Sequence, residues 1–439
     1  MRPSVWLWLP AIAGAFTLLA AACGGDDGGS SSSGSPTTTV RATAPTGDVG
    51  PGVSGTEIRL GMTSDVAGRG DTPYAAVSLA AQAYFAYLNE EQGGVCGRNI
   101  TLLVEDDEYS PALALEKTQK LVTGDQVLGM IGALSTQSHQ QVAPWLNDPN
   151  ADGDKADGVP DLFVSTGWST WSDQATYPWT TGFIPDYASD GRALATYITA
   201  ELPDKKVGLL YREDEFGQDY LSALQASFPD EGKLTSQSYA ADDTDVSQEI
   251  GAIATGGAEV VVLAATPEVA ASAIKAAHGG GLSPQFLLSY VNQPSNLASE
   301  LGGGNAAANI ISGFEQLDGV IVSSYLMSAV EDENDEAIIE HLRIMESYAG
   351  PMVSSLSIYG QALAETVAET LSRACPDLTR ANLLKAAEAL SGFHPSVLLP
   401  RIDVELGASD HEAIQTMQLA RINGDGTLDK LGDPIDVGP

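Results

Sequence analysis

Residues 99–122 have the sequence NITLLVEDDEYSPALALEKTQKLV, in which a short apolar run is followed directly by a helical pattern. NITLLVEDD predicts a β-strand, and SPALALEKTQKLV predicts a helix that begins at a Ser-Pro cap. The same order precedes it, because EIRLGMT (57–63) predicts a strand and YAAVSLAAQAYFAYLNEE (74–91) carries apolar residues at helical spacing. Strands that alternate with helices are typical of a parallel sheet covered by helices on both faces.

The alternation continues to residue 166 and begins again near residue 185. VLGMIGAL (127–134) and DLFVST (161–166) predict strands with a helix between them, and KVGLLYRED (206–214) belongs to a second series of strands and helices. The fold class is therefore α/β, with two doubly wound Rossmann-like units in tandem. A third region of strands and helices begins at Gly319 and ends in a predicted β-hairpin with a Gly-Asp-Gly turn.

The charge of the chain is strongly acidic. Lys and Arg number 21 against 58 Asp and Glu, which gives a formal charge of −37 over 439 residues. A surface of this sign repels phosphate backbones and anionic headgroups, so the composition argues against nucleic-acid binding.

The N-terminus predicts export. Arg2 is followed by the apolar run VWLWLPAIAGAFTLLAAA and then by Cys23, so residues 1–22 are predicted to be a signal peptide. The residues before Cys23 resemble a bacterial lipobox, although Ala20 stands where leucine is commoner, and the resemblance implies lipidation of Cys23. An ordinary signal peptide or a membrane anchor with a chance cysteine is the alternative. Residues 23–55, rich in Gly, Ser, Thr and Pro, predict a flexible tether, which places the chain outside the cytoplasm on a lipid anchor.

The sequence offers no recognisable catalytic constellation. None of the five histidines has a nucleophile–base spacing, and GxSxG, phosphate-loop and HExxH motifs are absent from the sequence. Hydroxyls, helix starts and aromatic residues follow the predicted strands instead, at the edge where open α/β sheets bind ligands. This composition favours binding of an organic molecule over its chemical conversion.

Four stretches resemble the branched-chain amino-acid binding proteins of bacterial ABC importers, in the same order along the chain. They are AAQAYFAYLNEEQGGVCGRNITLLVEDDEYSPALALEKTQKLV (80–122), PDKKVGLLYREDEFGQDYLSALQASF (203–228), GAEVVVLAATPEVAASAIKAAHGGGLSPQFLLS (257–289) and SIYGQALAETVAETLSRACPDLTRANLLKAAEAL (357–390). The resemblance implies the type I solute-binding fold, with two lobes joined by three crossings. Lobe 1 would contain residues 56–185 and 323–395, and lobe 2 residues 186–322 and 396–439.

The resemblance also implies a set of ligand-binding positions between the lobes. On lobe 1, Ser135 and Thr136 match positions that bind a ligand carboxylate, although both could be plain helix caps. The full set is Ser135, Thr136, Thr166, Gly167, Trp168, Asp186, Tyr187, Phe216 and Tyr290. Trp168 and Phe216 could equally be ordinary core residues.

Tyr290 marks a departure from the family pattern. It stands where amino-acid binders carry an acidic residue for the ligand ammonium, and a tyrosine supplies no full charge. Either Asp186 holds the ammonium alone or the ligand lacks one, as in an amide, a urea-like compound or an aromatic acid.

The stretch DPNADGDKADGVPD (148–161) has the oxygen-rich alternation of a calcium loop. The candidate ligands are Asp148, Asn150, Asp152, Asp154, Asp157 and Asp161, and Gly153 permits the sharp turn. Val159 occupies the twelfth position, where an EF-hand requires glutamate, so a looser structural calcium site or a solvated acidic loop is predicted. No other cofactor is required.

Cys96 and Cys375 remain if Cys23 is lipidated. Export permits either a disulfide or two buried thiols. The resemblance places both cysteines in lobe 1, which favours the disulfide.

Together these features predict a monomeric, non-enzymatic solute-binding lipoprotein that closes on a small polar ligand, such as an amino acid, an amide or an organic acid, and delivers it to an ABC permease. The alternative from a different class is a ligand-sensing receptor module that acts on a signalling partner.

Overall fold

The computed structural model describes residues 49–66, 74–304, 306–330, 332–350 and 354–438. The predicted signal peptide, Cys23 and most of the tether lie outside these residues. In the part of the chain that is described, no helix is both long enough and apolar enough to cross a membrane.

The N-terminal half of the chain builds a parallel sheet of five strands in the order β2-β1-β3-β4-β5. Ile58, Leu60 and Met62 of the first strand have no exposed surface, because helices cover both faces of the sheet. The strands are β1 (Glu57–Ser64), β2 (Asn99–Asp106), β3 (Met130–Ile131), β4 (Asp161–Val164) and β5 (Thr180–Gly182).

A second sheet contains the later strands in the order β12-β11-β10-β9-β8-β6-β7, with β13 paired to β11. Strands β6 to β10 run parallel to each other, and β11 pairs antiparallel with β10. The strands are β6 (Val207–Arg212), β7 (Leu234–Tyr239), β8 (Val260–Ala264), β9 (Gln285–Leu288), β10 (Ile321–Ser324), β11 (Thr416–Ile422), β12 (Leu428–Lys430) and β13 (Ile435–Asp436). The antiparallel pairing of β11 with β12 is the predicted hairpin.

The helices divide between the two sheets. Those of the first sheet are α1 (Ala75–Glu91), α2 (Pro111–Gln119), α3 (Thr136–Asn147), α10 (Glu336–Tyr348), α11 (Ser355–Ala374) and α12 (Arg380–Glu388). Those of the second are α4 (Tyr187–Glu201), α5 (Glu215–Ser227), α6 (Ser247–Thr255), α7 (Pro267–Gly279), α8 (Pro294–Gly302) and α9 (Ala307–Gln316). We call each sheet with its helices a lobe. The late helices α10 and α11 return to the first lobe, where both pack on α1.

The chain passes between the lobes in three segments, residues 182–187, 324–336 and 389–416. These hinge segments are hydrogen bonded to each other. The amide of Met327 donates to the carbonyl of Val397 at 3.0 Å, and the amide of Gly182 donates to the carbonyl of His411 at 2.9 Å. The fold is thus the predicted two-lobed α/β fold. The boundary placed after residue 322 is wrong by two residues, because Ser323 and Ser324 continue β10 and pair with β11.

A disulfide joins the two chain segments that form the first lobe. Cys96, in the turn between α1 and β2, is bonded to Cys375 at the end of α11, with their Cα atoms 5.5 Å apart. The bond therefore connects residues that lie 279 positions apart in sequence.

Candidate functional site

The predicted site of the first lobe lies where β3 and β4 end. Ser135 caps α3, and its hydroxyl accepts a hydrogen bond from the amide of Ser138 at 3.3 Å. The neighbouring Thr136 and Thr166 share a hydroxyl–hydroxyl hydrogen bond, and all three side chains are buried. The structure therefore brings these three predicted residues together at a helix N-terminus, where backbone N–H groups favour an anionic partner.

Gly167 connects this group to the second lobe. Its carbonyl accepts a hydrogen bond from the amide of Tyr187 at 2.7 Å, at the start of α4. A Cβ atom at this position would lie 2.6 Å from the hydroxyl of Tyr290 and 2.7 Å from the carbonyl of Pro185. Glycine is therefore required for the two lobes to approach here, because the carbonyl belongs to a hinge segment and cannot swing aside as a side chain can.

The second lobe contributes aromatic rings. Tyr187 stacks on Tyr290 with centroids 6.2 Å apart and meets the edge of Phe216 at 4.7 Å. All three rings are buried, and the Tyr187 hydroxyl lies 3.4 Å from that of Thr166. We call the region where Ser135, Thr136 and Thr166 of one lobe face Tyr187 and Phe216 of the other the interlobe cleft.

Tyr290 uses its only O–H donor within the chain. The hydroxyl donates to the carbonyl of Pro185 at 2.6 Å, and burial raises the pKa of Tyr290 well above its usual range. Tyr290 therefore ties β9 to the first hinge segment.

Asp186 is occupied in a similar way. It caps α4, and its two oxygens accept hydrogen bonds from the amide and the hydroxyl of Ser189, both at 2.6 Å. Glu412 of the third hinge segment lies beside it, and burial and then the charge of Asp186 raise the pKa of Glu412 to about 8. The role of Asp186 toward a ligand ammonium stays a prediction, since its carboxylate serves the hinge in this structure.

Trp168 is half-buried among aromatic residues of the first lobe. Its ring meets the edge of Trp171 at 4.9 Å, in a cluster that includes Tyr177. Next to it, the amide and hydroxyl of Ser169 donate to Asp219 of α5 at 2.9 and 3.0 Å. This pair is a direct polar contact between the lobes, and burial raises the pKa of Asp219 to about 6.

The sequence analysis missed three residues of the cleft. Tyr109, directly after β2, stacks on Tyr74 at 5.9 Å, and Arg212 ends β6 with its guanidinium 5.2 Å from the ring of Phe216. Each of Tyr109 and Arg212 stands at the carboxyl end of a parallel strand. The rule that ligands lie past such ends, applied to every strand, would have found them.

Asp161 was wrongly assigned to the metal loop. It begins β4, is 1% exposed, and accepts hydrogen bonds from His139 and Thr180, each at 2.8 Å. The strand continues into the core, so this carboxylate points to α3 and not to the loop.

The other loop oxygens are engaged by the loop itself. Asp148 accepts from the amide of Gly153 at 3.0 Å, and Asn150 donates to Asp157 at 2.7 Å. Among the described residues no group of three or more His, Cys, Asp or Glu side chains is arranged to hold a metal ion. Calcium binding by this loop stays a prediction, tested by comparing melting temperatures with calcium and with a chelator.

A groove of about 570 Å³ lies on the first lobe, away from the cleft. Tyr84, Tyr87 and Glu365 line it. The carboxylate of Glu365 accepts hydrogen bonds from Ser396 and Gln361, so its acidic group is satisfied inside the chain.

The chain belongs to the periplasmic binding protein family, whose model matches residues 57–427. The predicted family membership and the type I fold are thereby confirmed, and the chain is a binding protein rather than an enzyme. Proteins of this kind act outside the cytoplasm, where they bind small molecules and a membrane permease. No curated protein sequence matches the chain.

Several solved structures share the fold. A branched-chain amino-acid ABC transporter protein from Thermus thermophilus with bound valine has a TM-score of 0.74 and 18% identity, over 87% of this chain and 97% of that one. A possible leucine/isoleucine/valine-binding protein from Rhodopirellula baltica has a TM-score of 0.71 and 17% identity, over 86% of this chain and 96% of that one. A fatty acid ABC transporter substrate-binding protein from Thermomonospora curvata has a TM-score of 0.68 and 21% identity, over 89% of this chain and 95% of that one.

Proposed function

We propose that this chain is the solute-binding lipoprotein of an ABC importer and that it captures one small organic ligand by closure of its lobes. The observation that carries the proposal is the convergence of polar groups from the first lobe and aromatic rings from the second on one cleft. Ser135, Thr136 and Thr166 supply hydroxyls and a helix N-terminus, whereas Tyr187 and Phe216 supply an apolar wall. Such a mixture fixes the orientation of a small ligand and removes it from water.

The ligand is a small molecule with a polar group and an apolar body, such as an amino acid, a related amide or an organic acid. Of the solved structures that share the fold, the Thermus thermophilus protein contains bound valine and the Thermomonospora curvata protein is a fatty acid substrate-binding protein. Both ligands fit this range. Closure stabilises the ligand-bound form because the ligand contacts both lobes only when they are together. The closed monomer is then the form that the permease accepts.

A thermal-shift screen of the purified full-length chain tests this proposal. The panel contains branched-chain and aromatic amino acids, the corresponding deaminated acids and their amides. A compound that binds only the native state raises the melting temperature in proportion to the logarithm of its concentration. The proposal requires at least one such compound, and a panel without any effect at millimolar concentration would argue against it.

Lipid attachment at Cys23 is part of the proposal and rests on the sequence of residues 1–23. We expect the wild-type chain to partition into the detergent phase when expressed in a bacterium with a lipoprotein pathway. Cys23→Ala should move the chain into the aqueous phase, because a diacyl anchor supplies its membrane affinity. Ser30→Ala in the tether is the matched control. Equal detergent partitioning of Cys23→Ala would show that the apolar run itself is the anchor.

A further inference from the structure

Arg212 is a buried cation at the carboxyl end of a central strand of the second sheet. Its side chain is 14% exposed. The Nε atom donates to Asp214 at 2.6 Å, and Asp214 also caps α5 by accepting from the amide of Gly217 at 3.3 Å. One of the 21 basic residues of the chain thus lies at the edge of the sheet where ligands bind in open α/β folds.

The rest of the guanidinium is unused by the described residues. None of them accepts a hydrogen bond from Nη1 or Nη2 of Arg212, although these atoms carry most of its N–H donors. Neither Nη atom is among the fully buried atoms that lack a partner in the described part of the chain, so both keep contact with solvent. The two Nη atoms are therefore suited to a partner that comes from outside the chain.

Groups of both lobes surround this cation. Tyr74 and Tyr109 of the first lobe stack at 5.9 Å, and the charge of Arg212 opposes the rise that burial causes in the pKa of each. Arg212 lies 5.2 Å from the ring of Phe216, which contacts Tyr187. The hydroxyl of Tyr187 lies 3.4 Å from that of Thr166, beside the N-terminus of α3. Arg212 and the N-terminus of α3 thus face the same part of the cleft, and an anionic group there would contact both lobes.

The two carboxylates next to Tyr187 and Arg212 are both engaged within the chain. Both oxygens of Asp186 accept from Ser189, and those of Asp214 accept from Gly217 and Arg212. The hydroxyl of Tyr290 donates to Pro185. A buried ammonium without an anionic partner is unfavourable by several kcal/mol.

We propose that Arg212 binds the carboxylate of the ligand through its Nη atoms and that this ligand is a monocarboxylate with an apolar or aromatic body and no ammonium group. The inference rests on the proposed function, since it assigns a ligand class to the same cleft. The carboxylate bridges Arg212 and the N-terminus of α3, and the body lies against Tyr187 and Phe216.

Calorimetric titration with two matched sets of probes tests this assignment on the purified full-length chain. The first set is L-leucine, 4-methylpentanoate, 4-methylpentanamide and 3-methylbutylamine, and the second is L-phenylalanine, 3-phenylpropanoate, 3-phenylpropanamide and phenethylamine. Each set keeps the body and changes only the charged groups. We expect the deaminated acid of at least one set to bind more tightly than the amino acid, the amide and the amine.

Variants then locate the carboxylate. Arg212→Met should weaken binding of that acid roughly tenfold to a hundredfold, as loss of a charge-assisted hydrogen-bonded pair does, and Arg212→Lys should retain part of the affinity. Arg343→Met is the matched control, because Arg343 also lies 5.2 Å from an aromatic ring and is ion paired, but outside the cleft. Its affinity should equal that of the wild type.

Three results would overturn the assignment. Tighter binding of the amino acid or the amine than of the acid would show that the cleft accepts an ammonium group. Undiminished binding by Arg212→Met would remove the role of Arg212, and either result would leave solute binding intact. Absence of binding by every probe would argue against both the assignment to Arg212 and the proposed solute binding. If Arg212→Met fails to fold, the comparison of probes on the wild-type chain decides the ligand class without it.

Discussion

Replacement of both disulfide cysteines, C96S/C375S, is expected to lower the free energy of unfolding by roughly 4–5 kcal/mol. The first lobe is built from two chain segments, and the larger part of the second lobe, from α4 to β10, lies between them in sequence. The bond closes a loop of 279 residues, so without it the unfolded chain gains the conformational freedom of a very long loop.

Urea denaturation with and without reductant measures this effect. Reductant should destabilise the wild-type chain to the level of the double variant and leave the double variant unchanged, because only Cys23 remains there. An unfolding midpoint of the wild type that does not respond to reductant would contradict the prediction.

Glu412→Gln is expected to remove a loss of stability that the wild-type chain undergoes between pH 4.5 and about 8. Glu412 is 9% exposed in the third hinge segment, where burial and then the charge of Asp186 raise its pKa from 4.5 to about 8. Below pH 4.5 the carboxyl is protonated in both states. Between pH 4.5 and 8 the unfolded chain ionises while the folded chain keeps its proton, so stability falls as pH rises and then levels off. The upper bound of this loss is about 5 kcal/mol.

Chemical denaturation at pH 4 and pH 9 tests the sign. The variant should match the wild type at pH 4 and exceed it at pH 9. Glu405→Gln is the matched control, because Glu405 is an exposed carboxylate of the same hinge segment. A wild type and Glu412→Gln that stay equally stable at pH 9 would exclude the proton shared by Glu412 and Asp186.

The fold was largely predictable because its signals are local. The strand and helix of residues 99–122 appear in the structure as β2 and α2, since apolar periodicity and a Ser-Pro start depend only on neighbouring residues. The boundary after residue 322, where the second lobe gives way to the first, was misplaced by two residues. Pairing of Ser323 and Ser324 with β11 is a contact across about a hundred residues, which no local pattern reveals.

The site was predictable only in outline, because its chemistry depends on tertiary neighbours. Ser135, Thr136, Thr166 and Gly167 lie together as the resemblance implied. In the sequence, Asp161 resembles one more acidic residue of the loop. In the structure its carboxylate is hydrogen bonded to His139, and the sequence alone does not show that these two residues are neighbours. Arg212 escaped notice since no local pattern shows that its outer nitrogens have no acceptor.

The central claim is that a small organic solute binds between the lobes, and Gly167→Ala tests it most directly. The added methyl group meets the Tyr290 hydroxyl and the Pro185 carbonyl, so it should hold the lobes apart and weaken binding about tenfold or more. Gly251→Ala is the control, because a methyl group there meets nothing within 4 Å.

The measurement is native mass spectrometry of the three full-length chains with 4-methylpentanoate and 3-phenylpropanoate. We predict a one-to-one complex of similar abundance for the wild type and for Gly251→Ala, and a much smaller fraction of complex for Gly167→Ala at the same ligand concentration. Equal complex formation by Gly167→Ala and Gly251→Ala would contradict binding in the interlobe cleft.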